Sequence, residues 1–136
     1  MGKRVAFCDD SIVRGTQFKG HAKRFYEFGT KEVHIRISCP PLLYACPFLN
    51  FTASDSEMEL ITRRVIDAIE GGQCTSKLPF YAATNSAEHK KMVDKIKEML
   101  SVNSLIFNPI EVLAASIGLP KDQICTHCFD GSSFGA

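Results

Sequence analysis

The sequence predicts an α/β chain in which a parallel sheet is flanked by helices, and three observations carry that prediction. Two short β-type runs, Lys3–Cys8 and Glu32–Ser38, are separated by a segment with helical apolar spacing. Strands joined through a helix run parallel, because such a connection is too long to be a hairpin. Beyond them, helical stripes surround a third short apolar run, as in layered α/β proteins.

The elements follow in order. Lys3 to Cys8 holds Val5, Ala6 and Phe7 and runs directly into Asp9-Asp10-Ser11, so it reads as a buried strand entering a loop, with Cys8 packed as a small apolar residue. From Thr16 the residues Phe18, Ala22, Phe25 and Tyr26 recur at helical spacing, and Gly29 supplies the left-handed stop. In Glu32–Ser38, Val33, Ile35 and Ile37 alternate with His34, Arg36 and Ser38, and Pro40-Pro41 ends the strand.

Ser54 and Glu57 have capping-box spacing before a helix with Met58, Ile61, Val65 and Ile69 on one stripe, closed by Gly71-Gly72. Gln73–Thr84 contains Pro79 and no clean period and reads as a loop. A helix from about Ser86 carries Met92, Val93, Ile96, Met99 and Leu100, and Ser104–Phe107 is a short strand. Asn108 caps a last helix with Pro109 in its first turn and Leu113, Ala114 and Ile117 on its apolar face, ended by Gly118 and Pro120. His21 and His89 fall on helices as solvated residues, and His34 faces away from the core. No repeat or linker divides the chain, which reads as one domain over 1–136.

Composition narrows the function. With 136 residues, 45% apolar and 23% charged, the chain has the make-up of a globular domain rather than a disordered tail. Sixteen Lys and Arg against 15 Asp and Glu leave a net charge of +1, which offers no electrostatic footprint for nucleic acid. No apolar run nears the roughly 20 residues of a membrane span, and the polar start lacks a signal peptide's apolar segment, so the expectation is a cytoplasmic protein without a membrane partner. In that reducing compartment the six cysteines are expected as thiols or metal ligands.

The segment Val5-Ala6-Phe7-Cys8-Asp9-Asp10-Ser11-Ile12-Val13-Arg14-Gly15-Thr16 carries the chemistry. Two acids end a strand, and hydroxyl residues with a glycine open a helix. Unpaired amides and the positive dipole end of that helix suit a phosphate monoester among Ser11, Gly15 and Thr16. The Asp9 and Asp10 carboxylates suit a sugar diol. Arg14 has two candidate partners, the phosphate or a neighbouring acid. The plainer alternative is that Asp9, Asp10 and Ser11 only cap a helix and stop a strand.

The full string resembles the phosphoribosyl pyrophosphate (PRPP) motif of the type I phosphoribosyltransferases. With VHIRISCPP after it, DDSIVRGT is similar to the amidophosphoribosyltransferase (glutamine PRPP amidotransferase) family. The resemblance runs from Arg4 to Pro41, then more loosely through Cys46, the Ser56–Gly71 helix and the terminal CTHCFDG, and matches only the C-terminal part of that family. It implies part of a type I phosphoribosyltransferase, Rossmann-like sheet with a C-terminal helical extension. It also implies that Asp9 and Asp10 hold the ribose hydroxyls as catalytic acids, and that Ser11, Ile12, Val13, Arg14, Gly15 and Thr16 form the 5-phosphate loop. Mg2+ is implied on pyrophosphate and ribose oxygens near Asp9 and Asp10. The implied reaction is transfer of ammonia, drawn from glutamine, to C1 of the sugar in the first step of purine synthesis.

Some family members carry a [4Fe-4S] cluster, and Cys46, Cys125 and Cys128 match three of its four ligand positions. The fourth has no counterpart, with His127 and Cys39 as substitutes in principle; Cys74 reads as a loop thiol. The family's glutaminase and its upstream strands are not in these residues, so the resemblance implies that the Arg4–Cys8 strand has an open edge and that the chain is completed by an upstream segment, a second polypeptide or a homo-oligomer. The alternatives are a non-catalytic PRPP or nucleotide-binding module and an incomplete structural fragment held by a terminal metal site; a base-using phosphoribosyltransferase is disfavoured by IVRGT and CTHC.

Overall fold

A computed structural model describes residues 2–49, 56–72 and 75–132. The described residues form a three-stranded parallel sheet of order β1-β2-β3, from β1 (Arg4–Asp9), β2 (Glu32–Ile37) and β3 (Ser104–Phe107). The register pairs Val5 with Val33, Phe7 with Ile35, Ile35 with Leu105 and Ile37 with Phe107. Around the sheet stand α1 (Thr16–Glu27), α2 (Ile61–Glu70), α3 (Leu78–Ala82), α4 (Ala87–Leu100), α5 (Ile110–Ile117) and α6 (His127–Asp130). The α/β class and the parallel sheet flanked by helices are as the sequence predicts.

Alternation in β2 sorts its side chains between two faces. Val33, Ile35 and Ile37 pack with Leu105 and Phe107 of β3 against Phe18 and Ala22 of α1, Val65 and Ile66 of α2, and Met92, Ile96 and Leu100 of α4. Phe7 adds a stacked contact with Phe18, ring centroids 5.7 Å apart. The opposite face carries His34, Arg36 and Ser104, where the Ser104 hydroxyl lies 2.8 Å from His34 Nδ1 and 2.9 Å from an Arg36 guanidinium nitrogen. Ile106 on that face is 52% exposed. Cys8 shares this face, in register with Arg36, and is exposed rather than packed. Its strand is at the sheet edge among the described residues, with no helix over that side.

Several local expectations shift. Ser54 lies outside the described residues, and the observed cap is Ser56, whose Oγ accepts the Met58 N–H at 3.3 Å ahead of a 3-10 turn over Glu57–Glu59. The segment read as a loop contains α3, because Pro79 occupies its first turn, where a missing N–H costs nothing. Ser86 caps α4 by accepting the His89 N–H at 2.9 Å. His89 is buried rather than solvated, with Nδ1 2.8 Å from the Tyr81 carbonyl oxygen. Pro109, not Asn108, is the cap of α5, and Ile117 and Met99 are exposed. No described helix is long and apolar enough to cross a membrane.

Candidate functional site

The C-terminal end of β1 turns into α1 through Asp10–Gly15, and this corner is open. A depression of about 430 Å³ is lined by Asp9, Asp10, Ser11, Val13, Arg14, Gly15, Thr16, Gln17 and Phe18. Both acids are exposed. Asp9 Oδ1 accepts the Asp10 N–H at 2.9 Å, and Asp10 Oδ1 accepts the Ser11 hydroxyl at 3.1 Å. The backbone behind them is fixed by the two residues that follow β2: the Asp9 carbonyl accepts the Ser38 N–H at 2.9 Å and that of Asp10 accepts the Cys39 N–H at 3.0 Å. The acids are thus held on a rigid strand end while keeping carboxylate oxygens toward solvent.

Gly15 opens α1 in the left-handed conformation, φ 78°, and no side chain caps the helix. Its close packing explains the residue type, since a Cβ there would lie 2.5 Å from Ile61 Cδ1 and 3.2 Å from Leu100 Cδ2. Thr16 begins the helix beside it. Uncapped first-turn amides beside an open depression are donors that an anion can take up. Of the residues expected in the loop, Ile12 does not line the depression: it is 2% exposed and packs in the core, anchoring the loop from below.

The loop is gripped by residues that the sequence reading missed. The Ile61 N–H donates to the Val13 carbonyl at 2.8 Å. The Arg64 guanidinium donates to the Arg14 carbonyl at 2.8 Å, to Glu59 O at 2.8 Å and to Met58 O at 3.1 Å. The Arg14 side chain is ion-paired with Glu59. These partners lie 45 to 50 positions away along the chain, and no local pattern announces them.

The cysteines fall into two places. Cys39 sits on the acid side, where burial and then the Asp10 carboxylate push its thiol up. Cys46 and Cys128 are in hydrogen-bond contact. The loop of Cys46 is tied to α6, as Leu43 and Tyr44 donate N–H bonds of 2.8 and 3.1 Å to the Cys128 carbonyl. Burial is the largest single influence on the Cys46 thiol and raises it, but the Phe48 and Leu49 amides, which donate to its sulfur at 3.4 and 3.2 Å, and Cys128 together outweigh it and bring the thiol net below the ordinary value. Burial first, then Cys46 and Cys125, push Cys128 up to about 12. Cys125 is exposed, and Cys74 lies outside the described residues. His127 Nδ1 is turned to the Ser132 carbonyl at 2.9 Å. Among the described residues no three ligating side chains converge to hold a metal. The donors therefore do not fit a four-iron cluster, which needs four thiolates.

Comparison with known proteins gives one consistent match. No family model matches the chain. An amidophosphoribosyltransferase of Methanothermobacter thermautotrophicus is 31% identical over 130 residues, 96% of this chain and 22% of the relative. A chloroplastic amidophosphoribosyltransferase of Glycine max is 32% identical over 96% of this chain and 18% of its own length. One from Synechococcus elongatus is 34% identical, covering 96% and 21%. Among solved structures, the glutamine PRPP amidotransferase from B. subtilis complexed with ADP and GMP superposes with a TM-score of 0.65 at 30% identity, over 96% of this chain and 24% of that one. The chain thus spans about a fifth of the length of the curated relatives it matches, 18% to 22%.

Proposed function

From a chain homologous over nearly its whole length to amidophosphoribosyltransferases, and corresponding to about a fifth of each, we propose that this is the PRPP-binding, C-terminal portion of such an enzyme's phosphoribosyltransferase domain, acting as one unit over 1–136. The observation that carries the proposal is the open corner, where two exposed acids at a strand end face an uncapped helix start across one depression. In this reading Asp9 and Asp10 accept hydrogen bonds from the ribose 2- and 3-hydroxyls. The 5-phosphate lies against the backbone of Ser11–Thr16, with the Ser11 and Thr16 hydroxyls beside it. Magnesium arrives as part of the substrate, on pyrophosphate oxygens, because a hard cation neutralises that leaving group with few protein ligands.

The reaction is substitution at C1 of the ribose. The ammonia lone pair forms the new C–N bond, the C1–O bond breaks with its electron pair leaving on pyrophosphate, and the surplus proton passes to solvent. Positive charge spreads over the ring as the C1–O bond opens, and the paired carboxylates stabilise it from the diol side. Ammonia from glutamine, the upstream polypeptide that releases it, a place in purine synthesis, a homo-oligomeric assembly and a cytoplasmic location all belong to this proposal. Cys46, Cys125 and Cys128 hold no cluster in this proposal, since no three ligating side chains converge among the described residues, and no step of the reaction passes through them.

Calorimetry with PRPP and Mg2+ tests the reading. The chain binds, and Asp9→Asn combined with Asp10→Asn weakens binding by at least about a hundredfold, since each charge-assisted bond contributes roughly 1.5–3 kcal/mol. A parent chain that binds no PRPP overturns the proposal. Pyrophosphate release from PRPP and ammonium, assayed with the complementary portion of the enzyme, separates an enzyme part from a binding module: good binding with a silent assay favours the module.

A further inference from the structure

Arg14 lines the depression, yet its guanidinium is engaged by Glu59 of the 3-10 turn before α2, and Glu59 does not line the depression itself. The backbone under Arg14 is pinned, by Arg64 on the Arg14 carbonyl at 2.8 Å and by the Ile61 N–H on the Val13 carbonyl at 2.8 Å. Any change of partner at Arg14 is therefore a side-chain movement and leaves the loop in place. The pair is accessible to such a change, with the Arg14 side chain 46% exposed and that of Glu59 20% exposed. A carboxylate and a phosphate each offer the planar guanidinium two oxygens that accept its paired N–H groups. A phosphate dianion arriving beside the uncapped start of α1 is the stronger acceptor by charge.

We propose that Glu59 is a positioning residue that competes with the ligand's phosphate for the Arg14 guanidinium, and so sets the anion affinity of the corner. The inference rests on the phosphate-loop reading above. Glu59 occupies Arg14 in the empty site, and the ligand must displace it to gain that cation. The side chain never touches the ligand and acts on binding only through Arg14.

The test is binding of inorganic phosphate, and separately of PRPP with Mg2+, by calorimetry at low and at 0.5 M salt. Glu59→Gln keeps the shape and removes the competing charge. It is expected to tighten both ligands about two- to fivefold at low salt, the range of a half-exposed ion pair. Screening shrinks the gain at high salt. Glu59→Asp, which withdraws the carboxylate by one methylene and keeps its charge, moves affinity in the same direction and stands in should Glu59→Gln misfold. Adding Arg14→Gln to either variant abolishes the gain, because in this proposal Glu59 acts on the anion through the Arg14 guanidinium. A purely structural role for Glu59 instead weakens binding or leaves it unchanged, and either result overturns the proposal while parent binding persists. A parent chain that binds neither ligand overturns the phosphate-loop reading itself, and this inference with it.

Discussion

Replacing Gly15 with alanine isolates what the corner demands of its backbone. Two costs add at this position. A left-handed φ of 78° costs an L residue about 1–2 kcal/mol. The new methyl would stand 2.5 Å from Ile61 Cδ1 and 3.2 Å from Leu100 Cδ2, both on fully buried side chains, so the core must shift, at about 1–3 kcal/mol. The sum, about 2–5 kcal/mol, is a large part of the roughly 5–15 kcal/mol that holds a domain folded. Gly71 supplies the control: it has the same left-handed geometry, φ 72°, and nothing within 4 Å of an added methyl, so Gly71→Ala reports the backbone cost alone. Urea unfolding of the two variants beside the parent gives both losses from the shift in midpoint at constant slope. Gly15→Ala is expected to lose at least about 1 kcal/mol more than Gly71→Ala. Equal losses would refute the claim that close packing of Ile61 and Leu100 reserves the position for glycine.

Arg63 is 5% exposed and donates to the Leu43 carbonyl at 3.2 Å and to Glu57 at 2.7 Å, while its Nε is buried without a partner. Arg63→Met is expected to destabilise by about 1–3 kcal/mol in the same urea assay, because the Leu43 carbonyl loses its donor while relief of the orphaned Nε returns only part. Acid unfolding has a worked sign. The Glu70 carboxyl is held below its usual value by Lys77 and then Tyr81, and Asp94 by Lys90; at Asp130 burial raises the carboxyl, but the Ser132 bonds, Lys121 and Thr126 together outweigh it. Depressed carboxyls contribute stability that is present above their ordinary values, 4.5 and 3.8, and lost as pH falls through the lower folded values. The urea midpoint is expected to hold between about pH 7 and 5 and to drop below about pH 4; a midpoint that rises on acidification contradicts it.

What was legible in the sequence was what is local. β2 announces itself because Val33, Ile35 and Ile37 alternate and end at two prolines, and α1 because Phe18 and Ala22 are four apart ahead of Gly29. The corner was legible for the same reason, since its lining residues all fall between Asp9 and Phe18, with Ile12 alone absent from the lining and packed in the core. Pro79 misled because a proline reads as a break unless its position in the first turn is known. Cys8 and His89 misled because exposure is decided by layers: Cys8 lies on the sheet side without helices, and His89 is drawn inward by a carbonyl eight residues earlier. The Glu59–Arg14 and Arg64–Arg14 contacts were invisible, because only the completed fold brings α2 against the β1–α1 loop.

The layer that hid Cys8 also bears on the site. Parallel sheets are ordinarily covered on both faces, whereas here α1 to α4 pack on the side of Val33, Ile35 and Leu105, and Ala6, Cys8 and Ile106 on the other side are exposed. The acids stand at the end of the edge strand β1, so the depression has a floor and one wall from Asp9–Phe18 and nothing opposite among the described residues. Sites that enclose a ligand draw their lining from several elements and bury most of its surface. In the proposed reading, the Asp9–Phe18 segment supplies the diol and monophosphate contacts but leaves the pyrophosphate end of PRPP in solvent. Affinity in this chain should therefore be dominated by the phosphorylated ribose. Ribose 5-phosphate, which lacks the pyrophosphate, then binds nearly as well as PRPP here, and the two separate once the opposite wall is supplied.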